Sequence, residues 1–209
     1  MEELRSPPDV EAQRAADGVD LEAAAKAIEA FLRALGHAPD NDVQLAETGR
    51  LVAAAFGDDL LAGYRTSPAQ VLRETVASSG GELIVVRDIA VTCICPHHLL
   101  PASGVVHVAY VPTTKVVGLG ALARLAQCLS RRLILQETLC EQIALALETE
   151  LGASGSGCIA DLAPACLTAR GENQAGARVV TAATRGKLQN DAQLRSAFFG
   201  CARSAEVKP

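Results

Sequence analysis

Hydrophobic residues recur with a helical period over the first third of the chain, with charged and polar residues between them. The first stripe is flanked by Asp20, a typical N-cap residue, and by Gly36, a typical C-terminal stop. Helices are therefore predicted from Asp20 to Gly36, over about 42–56 with Gly57 at the end, and from Ser67 with Pro68 in the first turn.

The pattern changes after the Ser-Ser-Gly-Gly break at residues 78–81. Residues 82–95 form a β-branched run with partial alternation, and 105–112 alternate more regularly. We expect these two runs to pair as an antiparallel hairpin, joined by a broad loop that carries His97 and His98.

The rest of the chain predicts two amphipathic helices, then two strands, then a short helix. Their expected bounds are about 119–130 and 136–151, 157–162 and 178–185, and 192–201. Helices grouped between pairs of strands favour an α+β fold, with an antiparallel sheet covered on one face by the two helices.

Three regions follow from these patterns. Residues 1–18 are polar, contain two prolines and show no period, so we expect a flexible arm. Residues 19–79 form a helical N-terminal region, and 80–209 carry the sheet.

Composition excludes several classes of protein. The 209 residues are 49% hydrophobic and 21% charged with a net charge of −5, which suits a compact core but not nonspecific binding to nucleic acid. Four Phe, two Tyr and no Trp leave few base-stacking side chains. The start is polar, and no apolar run is long enough to cross a membrane, so we expect a soluble cytoplasmic protein.

The seven cysteines are odd in number and irregularly spaced, which indicates a reducing compartment rather than a disulfide framework. Most are interpreted as small packing residues. These are Cys93, Cys128, Cys140, Cys158 and Cys201.

The densest group of potential metal ligands follows the first long strand. Cys95 and His98 lie three residues apart in a turn stiffened by Pro96, so a thiolate and an imidazole can face one zinc ion. Cys166, in a loop entry after a later strand, is the candidate third ligand of an open catalytic site. The alternative is a core thiol with loop histidines that only form hydrogen bonds. Spacing leaves both open.

Further along, Arg131 and Arg132 precede Gln136 and Glu137. As isolated charges near a helix start, the two arginines are interpreted as solvated side chains.

Several motifs in order resemble the GTP cyclohydrolase I family. They are VVRDIAVTCICPHHLLPASGVVHVAYVP, VVGLGALARLAQCLSRRLILQETLCEQIA, CLTARG and TAATRG, within about residues 67–200. The resemblance implies a tunnelling fold, with 80–209 as the catalytic domain, and a zinc enzyme that opens the imidazole ring of GTP on the way to dihydroneopterin triphosphate. It also implies a homo-oligomer, a decamer, with active sites between subunits.

Residue by residue, the resemblance implies that Cys95, His98 and Cys166 bind Zn²⁺ and that His97 stands beside the metal-bound water. Gln136 and Glu137 match the pair that binds the purine edge. Arg124 and Arg170 match two phosphate-binding arginines.

The chain also departs from the family pattern. Pro96 stands where the motif has Glu, and Pro164 stands where it has the His that serves as general acid and base for ring opening and for the later rearrangement. Gly120 and Ala121 replace a Ser-Lys pair used for rearrangement and triphosphate binding, and Gln70 replaces an Arg.

We therefore expect a divergent cyclohydrolase that opens the imidazole ring of GTP or of a related purine-like substrate, which carries fewer phosphates. One alternative is an authentic GTP cyclohydrolase I in which other groups, such as Arg73, compensate. Another is a non-catalytic, zinc-stabilised ring protein that binds a pterin or a partner.

Overall fold

The computed structural model describes residues 18–203, which divide into two compact units at Arg65/Thr66. The predicted flexible arm, residues 1–18, lies outside the described residues except for Gly18. No helix within residues 18–203 combines the length and apolar character that a membrane span requires.

The first unit is helical, as predicted. Its segments are α1 (Leu21–Ala34), α2 (Thr48–Ala54), a π-helical turn (Ala55–Leu60) and a 3₁₀ turn (Ala62–Arg65). The start of α1 is confirmed, because the Asp20 carboxylate accepts the Ala23 N–H at 2.9 Å. Gly36 follows α1 with φ +87°, a conformation that favours glycine.

The second helix differs from its prediction at both ends. The Asp42 carboxylate accepts the N–H of Gln44 at 2.9 Å, and this local turn competes with a helix at residue 42. At the other end, the π turn runs through Gly57, where a Cβ would lie 2.5 Å from Leu21 Cδ2. Gly57 is therefore a close packing contact with Leu21 rather than a helix stop.

The strands of the second unit are β1 (Thr75–Ala77), β2 (Ile84–Ile94), β3 (Pro101–Val111), β4 (Lys115–Val117), β5 (Gly155–Pro164) and β6 (Val179–Gly186). They form a four-stranded antiparallel sheet in the order β2-β3-β5-β6 and a two-stranded sheet, β1-β4. The predicted hairpin of β2 and β3 is confirmed. The short β1-β4 pair was not predicted, since three residues are too few to show a period.

The helices of this unit are α3 (Pro68–Leu72), α4 (Leu119–Ser130), α5 (Gln136–Thr149), α6 (Ala165–Thr168), α7 (Lys187–Asn190) and α8 (Ala192–Arg203). Ser67 caps α3 as predicted, and its side chain accepts the Gln70 N–H. The helices α4 and α5 pack on one face of the large sheet and enclose the main core. This arrangement confirms the predicted α+β tunnelling fold.

The opposite face of the sheet is covered at one end by α8. Phe198 of α8 packs with Ala109, Val111 and Ile159 of the sheet and with Leu188 of α7. Alternate residues of β3 thus enter two different cores, as the two-residue period of a strand requires.

Two sequence interpretations are wrong in this unit. Arg132 is buried, and its guanidinium donates to the carbonyl oxygens of Cys128 and Thr66, so it is not a solvated side chain. Cys201 is exposed near the end of α8, so it is not a packing residue. Cys93, Cys128, Cys140 and Cys158 are buried as expected.

Candidate metal centre and active site

The sheet brings the three proposed metal ligands to one place. Cys95 follows the last residue of β2, and Cys166 lies in α6, two residues after β5 ends. Both strands pair with β3, and Ala102 of β3 is the register partner of Cys93 on one side and Pro164 on the other. Residues distant in sequence therefore meet at one end of the sheet, because β3 aligns the C-terminal ends of its two neighbouring strands.

Backbone hydrogen bonds hold the turn that carries Cys95 and His98. The Cys95 carbonyl accepts the Leu99 N–H, and the Cys95 N–H donates to the Leu100 carbonyl, both at 2.9 Å. Leu99 has φ +54°, a strained value for a leucine that closes the turn. The resulting distance between Cys95 Sγ and His98 Nδ1 is 3.8 Å.

The donor atoms of Cys95, His98 and Cys166 all lie within 4.8 Å of one another. In a tetrahedral zinc site, bonds of about 2.3 Å to sulfur and about 2.0 Å to nitrogen place two donors about 3.5–3.8 Å apart. Two soft thiolates and an imidazole also match the ligand chemistry of zinc. The three side chains therefore fit a zinc ion with one coordination position left open.

Cys93 differs from these three residues. It is buried, and its burial, followed by the nearby thiol of Cys95, raises its pKa to about 11. Its side chain belongs to the main hydrophobic core that α4 and α5 enclose. It is absent from the group of converging donors found among the described residues.

His97 lies beside the proposed ligands. Its ring is exposed and stands edge-on to the ring of His98, with the centroids 6.3 Å apart and an interplanar angle of 88°. An imidazole at this position is available to exchange protons with solvent or with a bound molecule.

The neighbouring residues Gln136 and Glu137 lie in different environments. Gln136 is buried, and its amide Nε2 donates to the carbonyl of Ala160 in β5 at 3.1 Å and to that of Val179 in β6 at 2.7 Å. Glu137 is exposed in the first turn of α5, near enough to Cys93 for its charge to raise the pKa of that thiol. Gln136 thus anchors the start of α5, an internal role that the sequence pattern did not reveal.

We expect Gln136→Ala to lower the free energy of unfolding by about 1–3 kcal/mol, because it removes a buried donor shared by two carbonyls. Urea unfolding followed by circular dichroism measures the change. Gln127→Ala, at an exposed position of α4, is the matched control and should shift the midpoint little. Equal effects of the two variants would contradict the anchoring role.

Two arginines proposed to bind phosphate are both exposed. Arg124 lies in α4, and its Nη1 is 3.3 Å from the position that a Cβ of Gly120 would occupy. Arg170 follows α6, next to Gly171, whose φ is +57°. The side chain of Arg124 therefore passes close to the N-terminal turn of α4 over the space left by Gly120.

Comparisons with known proteins agree with this picture. The sequence model of the family described as GTP cyclohydrolase I matches residues 24–203. The chain is 38% identical to "GTP cyclohydrolase 1" of Campylobacter lari over 87% of its own length and 95% of that protein. For the protein of the same name from Corynebacterium glutamicum, the identity is 39%, over 88% of this chain and 94% of that protein.

Among solved structures, the archaeosine synthase QueF-Like in the apo form is similar over 51% of this chain and 95% of that chain. The sequence identity is 16% and the TM-score is 0.41.

Proposed function

Because this chain belongs to the GTP cyclohydrolase I family, we propose that it is a zinc-dependent hydrolase that opens the imidazole ring of GTP or of a related purine-like substrate. The observation that carries the proposal is the convergence of Cys95, His98 and Cys166 at the ends of two strands. When bound there, zinc supplies a Lewis acid that makes water a nucleophile near neutral pH.

The side chains around the ligands have distinct tasks in this proposal. His97 takes the proton of the attacking water and returns it to the departing ring nitrogen. Glu137, exposed at the start of α5, accepts hydrogen bonds from the N–H groups of the purine edge. Gln136 keeps Glu137 in place through its bonds to β5 and β6.

Phosphate binding falls to Arg124 and Arg170, whose exposed guanidinium groups suit bidentate contacts with phosphate oxygens. The neighbouring positions Gly120 and Ala121 offer no charged side chain. We therefore propose a substrate with fewer phosphates than GTP as the preferred one.

The reaction is proposed to end early. The side chains of Pro96 and Pro164 can neither donate nor accept a proton. The family resemblance implies a Glu and a His at these positions. The loss of a general acid or base typically slows a step about 10²–10⁴-fold. We assign the proton transfers of ring opening to His97 in place of that His, so a formylamino-pyrimidine is the proposed product.

The exposed positions of Glu137, Arg124 and Arg170 in the single chain also support a site that is completed by a neighbouring subunit. We propose a homo-oligomer, a decamer as in the family resemblance. Free cysteines are typical of a reducing compartment, which supports the proposal of a cytoplasmic location.

Incubation of the zinc-loaded protein with GTP, GDP and GMP tests the proposal, with metal-stripped protein as the blank. We expect a formylamino-pyrimidine detected by absorbance and mass spectrometry, formed fastest from GDP or GMP. Fluorescent neopterin after oxidation and dephosphorylation would instead support the authentic enzyme. Fully zinc-loaded protein that converts none of the three nucleotides would support a non-catalytic binding protein.

A further inference from the structure

A β-bulge interrupts β2 near the middle of the strand. The register with β3 shifts between Val86 and Ile89, so that Arg87 and Asp88 form the irregular segment. Asp88 has φ +57°, a left-handed conformation that residues with a Cβ adopt rarely. Such a conformation persists only when neighbouring groups hold it.

One of these groups is His107 of β3. His107 is 4% exposed, and its Nδ1 lies 3.2 Å from the backbone nitrogen of Asp88. Since the backbone N–H can only donate, Nδ1 has to be the acceptor, and the ring must be the neutral Nε2–H tautomer. A protonated ring carries a hydrogen on Nδ1 and cannot accept this bond.

The same bulge is connected to the C-terminal helix. Arg87 Nη1 donates at 2.9 Å to the carbonyl oxygen of Cys201, near the C-terminal end of α8. A cationic side chain near the C-terminal end of a helix interacts favourably with its last carbonyl groups. Because Arg87 directly precedes Asp88, the conformation of the bulge sets where the Arg87 backbone lies and hence whether its side chain reaches α8.

The helix that Arg87 contacts is held mainly by one apolar patch. Phe198 is fully buried against Ala109, Val111 and Ile159, while most other described side chains of α8 are exposed or half-buried. Arg87 adds a polar contact near the end of α8 that follows Phe198.

We propose that neutral His107 is a latch that keeps the β2 bulge in place and, through Arg87, keeps α8 docked on the sheet, and that protonation of His107 in acid releases the end of α8. The latch is separate from the proposed metal centre, because its residues lie in the middle of β2 and β3 and not at the strand ends near Cys95 and Cys166.

The charges around His107 determine the direction of the pH effect. Burial lowers the pKa of His107, Asp88 and Asp161 oppose this, and Arg87 adds to it. Asp161 is itself paired with Arg178 at 2.7 Å, which weakens its attraction for a proton on the ring. The net pKa is below 6.5, the ordinary value for histidine.

The sign of the linkage follows from that lowered pKa. The form with α8 docked binds a proton less readily than the form with His107 exposed. The stabilisation is therefore complete above about pH 6.5 and is lost as the pH falls from there through the lowered pKa.

Hydrogen–deuterium exchange of α8 in the zinc-loaded protein tests the latch. After correction for intrinsic exchange rates, the amides of residues 196–202 should exchange several-fold faster at pH 5 than at pH 7. His107→Asn keeps an acceptor oxygen at the place of Nδ1 but cannot be protonated. In this variant, the amides of α8 should exchange at the same corrected rate at pH 5 and pH 7. His37→Asn, at an exposed position of the first unit, should still show faster exchange of α8 at pH 5 than at pH 7.

Two further measurements separate the latch from a general loss of stability. Arg87→Gln should give fast exchange of α8 at both pH values, because the link to Cys201 is weakened even when His107 is neutral. If His107→Asn does not fold, ¹⁵N NMR of the native imidazole still tests the proposal. A proton on Nδ1 at pH 7 would overturn the proposal. So would an unchanged increase in α8 exchange at pH 5 in His107→Asn. Neither result depends on catalytic activity.

Discussion

Replacing Cys166 by alanine is expected to abolish zinc retention and ring-opening activity together. The change leaves Cys95 and His98 as the only two protein ligands of the proposed site, and two donors cannot hold the ion in a defined geometry. Loss of a residue that merely supports a ligand lowers metal affinity about 10–100-fold, so loss of a ligand itself should exceed that range. Metal stoichiometry per chain, measured by plasma mass spectrometry after desalting, gives the result directly.

Cys93 supplies the matched control for this experiment. It lies two residues from Cys95, but it packs in the main core and is not one of the converging donors among the described residues, so Cys93→Ala should keep one zinc per chain. Cys95→Ala should behave like Cys166→Ala. Full zinc occupancy in either ligand variant, with a native circular dichroism spectrum, would refute the assigned ligand set. Loss of zinc in Cys93→Ala would mean that the site has a different set of donors.

Most of the second unit could be predicted from its sequence because its elements bury one face or both. The β-branched runs correspond to β2 and β3. The segments with a helical period correspond to α4 and α5, with nearly the predicted bounds. Hydrophobic period carries this information locally, since a strand repeats every two residues and a helix about every 3.6.

Non-local contacts set the limit of such predictions. The turn that carries Cys95 and His98 is local, so their approach follows from spacing and turn chemistry. The position of Cys166 depends on the register of β5 against β3, which no short stretch of sequence specifies. Its place in a loop entry after a strand made Cys166 a candidate and the family resemblance supported it, and its donor atom does lie with the other two.

Two of the wrong interpretations, those of Arg132 and Gly57, have the same origin. Arg132 was expected in solvent, but two carbonyl groups satisfy its guanidinium inside the unit, one of them from Thr66, far away in sequence. Gly57 suggested a helix stop by its residue type, whereas Leu21 occupies the space that a Cβ at this position would need. In each case a tertiary contact overrode a sound local preference.

Restoring an imidazole at position 164 should extend the reaction beyond ring opening. Pro164 ends β5 and lies two residues before Cys166, with φ −76° and ψ 122°, values that histidine adopts without strain. In Pro164→His, a proton donor and acceptor returns to the edge where the metal ligands converge. We expect the rate of forming ring-closed dihydroneopterin product from GTP to rise by about 10²–10⁴-fold, the usual contribution of a general acid and base.

Pro164→Ala is the control that separates chemistry from backbone effects. It removes the proline ring without adding a titratable group, so its product should remain the formylamino-pyrimidine. Chromatography of the products after oxidation and dephosphorylation distinguishes the two variants through neopterin fluorescence. If zinc-loaded Pro164→His forms no closed ring, or if Pro164→Ala forms as much as Pro164→His, the missing imidazole does not explain where the reaction stops. The native protein can be compared directly with Pro164→His. If it forms neopterin at the same rate, another group already carries out the proton transfers of rearrangement and ring closure, because a proline side chain cannot do so.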